Sequence, residues 1–200
     1  MKSTLVTRLL ALAVAVTAVA CSEGNSTPLG PREPSAPSLT ASSTSPSVTK
    51  VHVRAVLWKR PLRQAASATA LIGPEGGVLE LWQTGLRVVV PAGAVSQPTQ
   101  FGVTAKPGRM VAYDFSPHGT TFARPLRLEQ DQSQIERPAG APGHSPVLQL
   151  GYFLGDADLD QSNGAANVTE LNDQISDFPA VGFTFPVYHF SGYIVSWGRW

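Results

Sequence analysis

Two groups able to do chemistry flank one phenylalanine in His189-Phe190-Ser191, inside the aromatic run Phe185-Pro-Val-Tyr-His189-Phe190-Ser191-Gly192-Tyr193-Ile-Val-Ser-Trp197. An imidazole titrates near neutral pH, and a serine hydroxyl becomes a useful nucleophile once a base removes its proton. If the run is a β-strand, side chains alternate between faces, so His189 and Ser191 share one side and Phe190 takes the other. The imidazole could then accept the hydroxyl proton while Ser191 attacks the carbonyl carbon of Phe190, and the chain would cut itself at Phe190–Ser191. The same residues also read as a closing core strand, with Phe190 and Ile194 buried and the two polar groups half exposed. Both readings stay open at this point.

A second constellation is Asp156-Ala-Asp158-Leu-Asp160-Gln161-Ser162-Asn163-Gly164. Carboxylates at alternate positions are the hard oxygen donors that calcium takes. The EF-hand spacing fails, with Gln161 in place of the turn glycine and Asn167 in place of the bidentate glutamate. A polar hairpin loop after Tyr152-Phe153 explains the same residues. Calcium at Asp156, Asp158 and Asp160 is therefore the one cofactor with a candidate donor set, and no other is expected. His52, His118 and His144 are too dispersed for a zinc pair. No nucleophile elbow, phosphate loop or dinucleotide fingerprint is present. Tyr193, Trp197 and Trp200 form either core edges or an aromatic platform for a sugar or peptide.

These groups sit at the far end of a three-part chain of 200 residues. Residues 1–21 begin with Lys2 and Arg8, continue through an apolar run from Leu9 to Ala20 and reach Cys21, the single cysteine. That order is a secretory signal, too short for a comfortable membrane span. Its ending Ala18-Val19-Ala20-Cys21 is similar to the lipobox of bacterial lipoproteins, a resemblance that implies lipidation of Cys21 after signal cleavage. With Ser22 following, the resemblance implies the outer membrane. Residues 22–50 are mostly Ser, Thr, Pro, Gly and Ala, too poor in large apolar groups to offset the entropy of ordering, and read as a disordered, proline-stiffened tether.

Residues 51–200 change character. Short β-branched and aromatic runs alternate with Gly and Pro, which predicts a single all-β sandwich. Val51, Val53, Ala55 and Leu57 alternate with His52, Arg54 and Val56 as one half-buried strand. Gln130 to Ser145 is polar and proline-rich and reads as an exposed loop. With one cysteine, the domain must hold itself by its core.

Three blocks then carry a family resemblance: Gly73-Pro-Glu-Gly76-Gly77-x-Leu79, then Thr84-Gly85-Leu86-x-Val88-x-Val90-Pro91-Ala-Gly93-Ala94, then Phe115-Ser-Pro117-His-Gly119-Thr-Thr-Phe122-x-x-Pro125-Leu126. In this order, closed by His-Phe-Ser, they resemble the ZU-five domain of zona-occludens proteins, netrin receptors, ankyrins and death-domain proteins over roughly residues 70–197. The resemblance implies a β-sandwich. Some members cut themselves between the Phe and Ser of this tripeptide, which would make His189 the general base and Ser191 the nucleophile. Others, such as the ankyrins, use the fold as a binding surface. Phe122 is expected to seal the core beneath the third block.

Charge excludes one class of partner. The sequence has 15 basic and 14 acidic residues, and removal of Lys2 and Arg8 with the signal leaves no basic field for nucleic acid. The expectation is a bacterial envelope lipoprotein, held to the membrane through Cys21. Its sandwich either serves as an interaction scaffold for a protein or glycan or processes its own Phe190–Ser191 bond.

Overall fold

Val, Ile, Leu and aromatic residues at every second position, in runs too short for helices, leave extended pairing as the way to bury them. The computed structural model describes residues 48–139, 147–175 and 182–199. The chain divides after Ser43, and every described residue belongs to the second unit, Thr44–Trp200. Cys21, His144 and Trp200 lie outside the described residues.

The strands are, in order, β1 (Val51–Ala55), β2 (Leu57–Leu62), β3 (Ala66–Ile72), β4 (Gly77–Leu81), β5 (Leu86–Val90), β6 (Thr99–Ala105), β7 (Gly108–Met110) and β8 (Ala112–Ser116). They continue as β9 (Thr121–Asp131), β10 (Ile135–Glu136), β11 (Leu148–Phe153), β12 (Leu159–Asp160), β13 (Ala165–Val168), β14 (Glu170–Asp173), β15 (Gly182–His189) and β16 (Gly192–Arg199). Helical structure among the described residues is confined to three short 3-10 turns, Trp82–Thr84, Gln132–Gln134 and Asp156–Asp158.

The strands form the all-β, layered architecture that the sequence predicts. A nine-stranded sheet runs β12-β13-β1-β16-β8-β6-β3, with β11 pairing β16 and β14; a four-stranded sheet runs β15-β9-β5-β4, and a three-stranded one β10-β2-β7. Phe101, Tyr113, Phe115, Leu150, Tyr193 and Val195 from the first sheet and Leu79, Val88, Leu126, Leu128, Phe185 and Val187 from the second share one buried cluster. Each such Leu, Val or Phe contributes about 1.5–3 kcal/mol by leaving water. A smaller cluster built around Val53, Ala112, Phe153, Val168 and Ile194 lies on the other face of the nine-stranded sheet. Strand β16 is therefore buried on both faces from Gly192 to Ser196, which explains why its sequence is continuously apolar rather than alternating.

Turn glycines do specific work here. Gly76 has φ +83, and a Cβ there would stand 2.5 Å from Val90 O, so the turn between β3 and β4 accepts no side chain.

Three expectations need correction. The aromatic run from Phe185 to Trp197 is not one strand: β15 belongs to the four-stranded sheet and β16 to the nine-stranded one. Likewise the strand begun at Val51 ends at Ala55, because Val56 crosses between sheets. Its N–H donates to Val195 O at 2.8 Å and its carbonyl accepts from Val111 N–H at 2.9 Å. That shift reverses the expected phase and buries Val56 instead of Leu57. The supposed loop from Gln130 also begins inside the core, since β9 extends to Asp131 and both Gln130 and Ile135 are buried.

Candidate functional site

At the end of β15 the chain changes sheets, and His189, Phe190 and Ser191 make the crossing. Pairing of β15 with β9 runs from Gly182↔Asp131 to His189↔Thr121, with a shift between Val187 and His189. Phe190 then keeps a one-residue connection to the turn before β9: its N–H donates to Thr120 O at 2.8 Å and its carbonyl accepts from Gly119 N–H at 2.9 Å. Ser191 hands the chain on, its carbonyl accepting from Phe115 N–H at 3.0 Å before β16 pairs with β8 and β11. The peptide between Phe190 and Ser191 is thus fixed from both sides by backbone hydrogen bonds.

The phenyl ring explains why the crossing lies where it does. Phe190 is 0% exposed; its ring stacks on Phe115 at 5.0 Å and meets Phe101 and Phe122 edge-on, each at 4.9 Å. Four rings with edge and face contacts form a tight plug between the sheets. Phe122, as expected, seals the core at this point, although the ring it seals against is Phe190. Of the polar neighbours of Phe190, His189 is left at the rim and Ser191 is buried.

His189 fills a box made by three other strands. Its Nε2 donates to Glu170 Oε2 at 3.1 Å. Its ring stands edge-on to Tyr152 at 5.0 Å and tilted over Tyr193 at 5.8 Å. Tyr193 Oη lies 3.4 Å from Nδ1 and donates to the His189 carbonyl at 2.8 Å. The grouping follows from register, because Glu170 pairs with Tyr152 and Tyr152 with Tyr193 in one row across β14, β11 and β16. Burial holds the Tyr193 phenol protonated well above its ordinary range, and the nearby Glu170 charge adds to that. Ser191 is buried, and among the described residues the imidazole bonds to Glu170 and has the Tyr193 hydroxyl 3.4 Å from Nδ1, with no hydrogen bond to the Ser191 hydroxyl.

Chemically the junction offers an attackable carbonyl already accepting a backbone N–H, an oxygen on the next residue and an imidazole on the preceding one. If that carbonyl were attacked, negative charge would gather on the Phe190 oxygen, to which the Gly119 N–H already donates, as an oxyanion-hole donor does.

The other sequence candidates are dispersed. Asp156 pairs with Lys106 at 2.7 Å, and Asp158 with Lys50 and the Leu154 N–H. Asp160 turns into its own loop, accepting from Ser162 Oγ at 2.5 Å and Asn163 Nδ2 at 2.6 Å. Those bonds, the Ser162 hydroxyl first, lower its carboxyl to about 2. No three His, Cys, Asp or Glu side chains among the described residues are grouped to hold a metal ion. His52 meets Asn167 and His118 lies 3.7 Å from Asp114, at separate places. Tyr193 is buried, so it contributes no exposed platform, whereas Trp197 is half-buried beneath the Arg54 guanidinium at 5.5 Å.

Two partners of the tripeptide were not foreseen: Glu170, and the amide of Gly119, which the sequence marks only as a turn residue of the third block. Glu170 follows an unremarkable Asn-Val-Thr, and only the β14–β11–β16 register brings it to His189. The chain matches no known family model and no curated protein.

Proposed function

We propose that this chain is a lipid-anchored envelope protein that displays its β-sandwich as an interaction module. The observation carrying this reading is the order of its parts: an apolar leader ending at the lone Cys21, a Ser/Thr/Pro stretch, and strands that begin at Val51. Cys21 takes the acyl chains, and the tether holds the sandwich away from the bilayer. A protein or glycan is the partner class. No helix among the described residues is long and apolar enough to cross a membrane. Radiolabelled palmitate tests the anchor in the bacterial host: incorporation lost in Cys21→Ser supports it, and equal labelling of both chains removes it.

A second reading is favoured by one observation, the Gly119 N–H bonded to the Phe190 carbonyl at 2.9 Å. In this reading the module cleaves itself. His189 takes the proton from Ser191 Oγ, which bonds to the Phe190 carbonyl carbon, and the oxyanion rests on the Gly119 amide. The C–N bond then breaks as His189 returns the proton to the Ser191 nitrogen, leaving an ester. Water hydrolyses that ester to a Phe190 carboxylate and a free Ser191 hydroxyl. Intact mass after denaturation, for wild type beside Ser191→Ala, decides it. Separate masses for the fragments ending at Phe190 and starting at Ser191, in wild type only, support cleavage; an uncut wild type ends it.

A further inference from the structure

We infer that Glu170 is a positioning residue for self-cleavage: it holds the His189 imidazole in the tautomer that leaves Nδ1 free to take the Ser191 proton. This rests on the second reading above. The starting observation is the 3.1 Å contact between His189 Nε2 and Glu170 Oε2. A carboxylate only accepts, so the nitrogen facing it carries the proton. A neutral imidazole has one N–H, and fixing it on Nε2 leaves the lone pair on Nδ1, the nitrogen nearer the main chain. Ser191 follows His189 by two residues, across the change of sheet.

The rest of the box supports the assignment. Tyr193 Oη lies 3.4 Å from Nδ1 and 3.5 Å from Nε2, and its proton goes to the His189 carbonyl at 2.8 Å, so it does not donate to the Nδ1 lone pair. Tyr152 holds the ring edge-on at 5.0 Å. The titratable groups facing the ring are Glu170 from β14, Tyr152 from β11 and Tyr193 from β16. Of these only Glu170 is a carboxylate, and burial keeps the Tyr193 phenol neutral well above neutral pH. A base oriented on its far nitrogen by a carboxylate is the arrangement that activates serine nucleophiles generally. The carboxylate also stabilises the imidazolium that forms once the hydroxyl proton has moved. The Glu170 side chain is 51% exposed and reaches the imidazole from the rim of the box.

The test follows cleavage of the full chain against pH in wild type, Glu170→Gln and Glu170→Asp, with His189 ring-nitrogen NMR shifts read in each on a Ser191→Ala background. Expected is cleavage about tenfold or more slower in Glu170→Gln, with the acid limb of its rate profile moved to lower pH. Glu170→Asp recovers part of the rate, and the Nε2–H tautomer is less populated in Glu170→Gln, whose amide can donate to Nε2 as well as accept from it. A cleaving wild type matched in rate and profile by Glu170→Gln overturns the Glu170 assignment alone. An uncut wild type overturns both it and the self-cleavage reading.

Discussion

The phenol of Tyr113 donates to Gln130 Oε1 at 2.5 Å, joining the two main sheets through the middle of an apolar core. Gln130 is 0% exposed, and its amide nitrogen donates on to Thr84 O at 2.8 Å. Burial pushes the Tyr113 phenol far above its ordinary range, so it stays a donor at any pH the fold survives. Replacing one partner leaves the others buried and unpaired, which costs about 1–3 kcal/mol. Gln130→Leu should lower stability by that amount in urea unfolding. Adding Tyr113→Phe should return part of it, because the abandoned hydroxyl is gone. Strict additivity of the two losses would mean the bond contributes nothing.

Phe190 gives the largest expected single effect. Truncating a fully buried ring surrounded by three others opens a cavity, and such changes cost about 3–5 kcal/mol. Phe190→Ala, measured by denaturant unfolding on the Ser191→Ala background so that cleavage does not intervene, should lose stability in that range. A loss under about 1 kcal/mol would contradict the plug.

Acid should release the Asp160 loop. Its carboxyl falls from an ordinary 3.8 to about 2 through the Ser162 and Asn163 bonds. The folded value lies below the unfolded one, so the loop's contribution is present in full above about pH 4 and fades as the pH drops toward 2. Carboxyl carbon NMR should show Asp160 titrating near the low end, and Ser162→Ala should move it back up. A titration at the ordinary position in the wild type would refute the turn.

Calcium is expected to leave the thermal midpoint unchanged. Lys106 and Lys50 hold Asp156 and Asp158, and Asp160 faces its own loop, so three carboxylates do not converge. Asp158→Ala should instead destabilise without calcium, because Lys50 and the Leu154 N–H lose their acceptor. A calcium-induced rise in melting that vanishes in Asp158→Ala would reverse this conclusion.

How far residues alone reveal this molecule depends on whether the signal is local. Alternating runs and Gly/Pro breaks are local, and they disclose strands such as β5, β6 and β11 and the sandwich class. Sheet changes are not local. Val56 and Phe190 sit inside runs that look like single strands, because the residue at each crossing is itself apolar and buried. Polar residues mislead similarly: Gln130 heads a hydrophilic segment, yet its partners Tyr113 and Thr84 are 17 and 46 positions away. The candidate tripeptide is visible as a string, whereas Glu170 and the Gly119 amide reach it only through register.

One pairing has a bearing on synthesis. Val53 is registered against Arg199, so the earliest strand of the larger sheet waits on the farthest one. A nascent fragment stopping short of Gly192 can pair β1 with β13, β8 with β6 and β11 with β14, but lacks the rib that joins these three pieces into one sheet. The larger sheet is therefore completed only by contacts of long sequence separation, which form slowly.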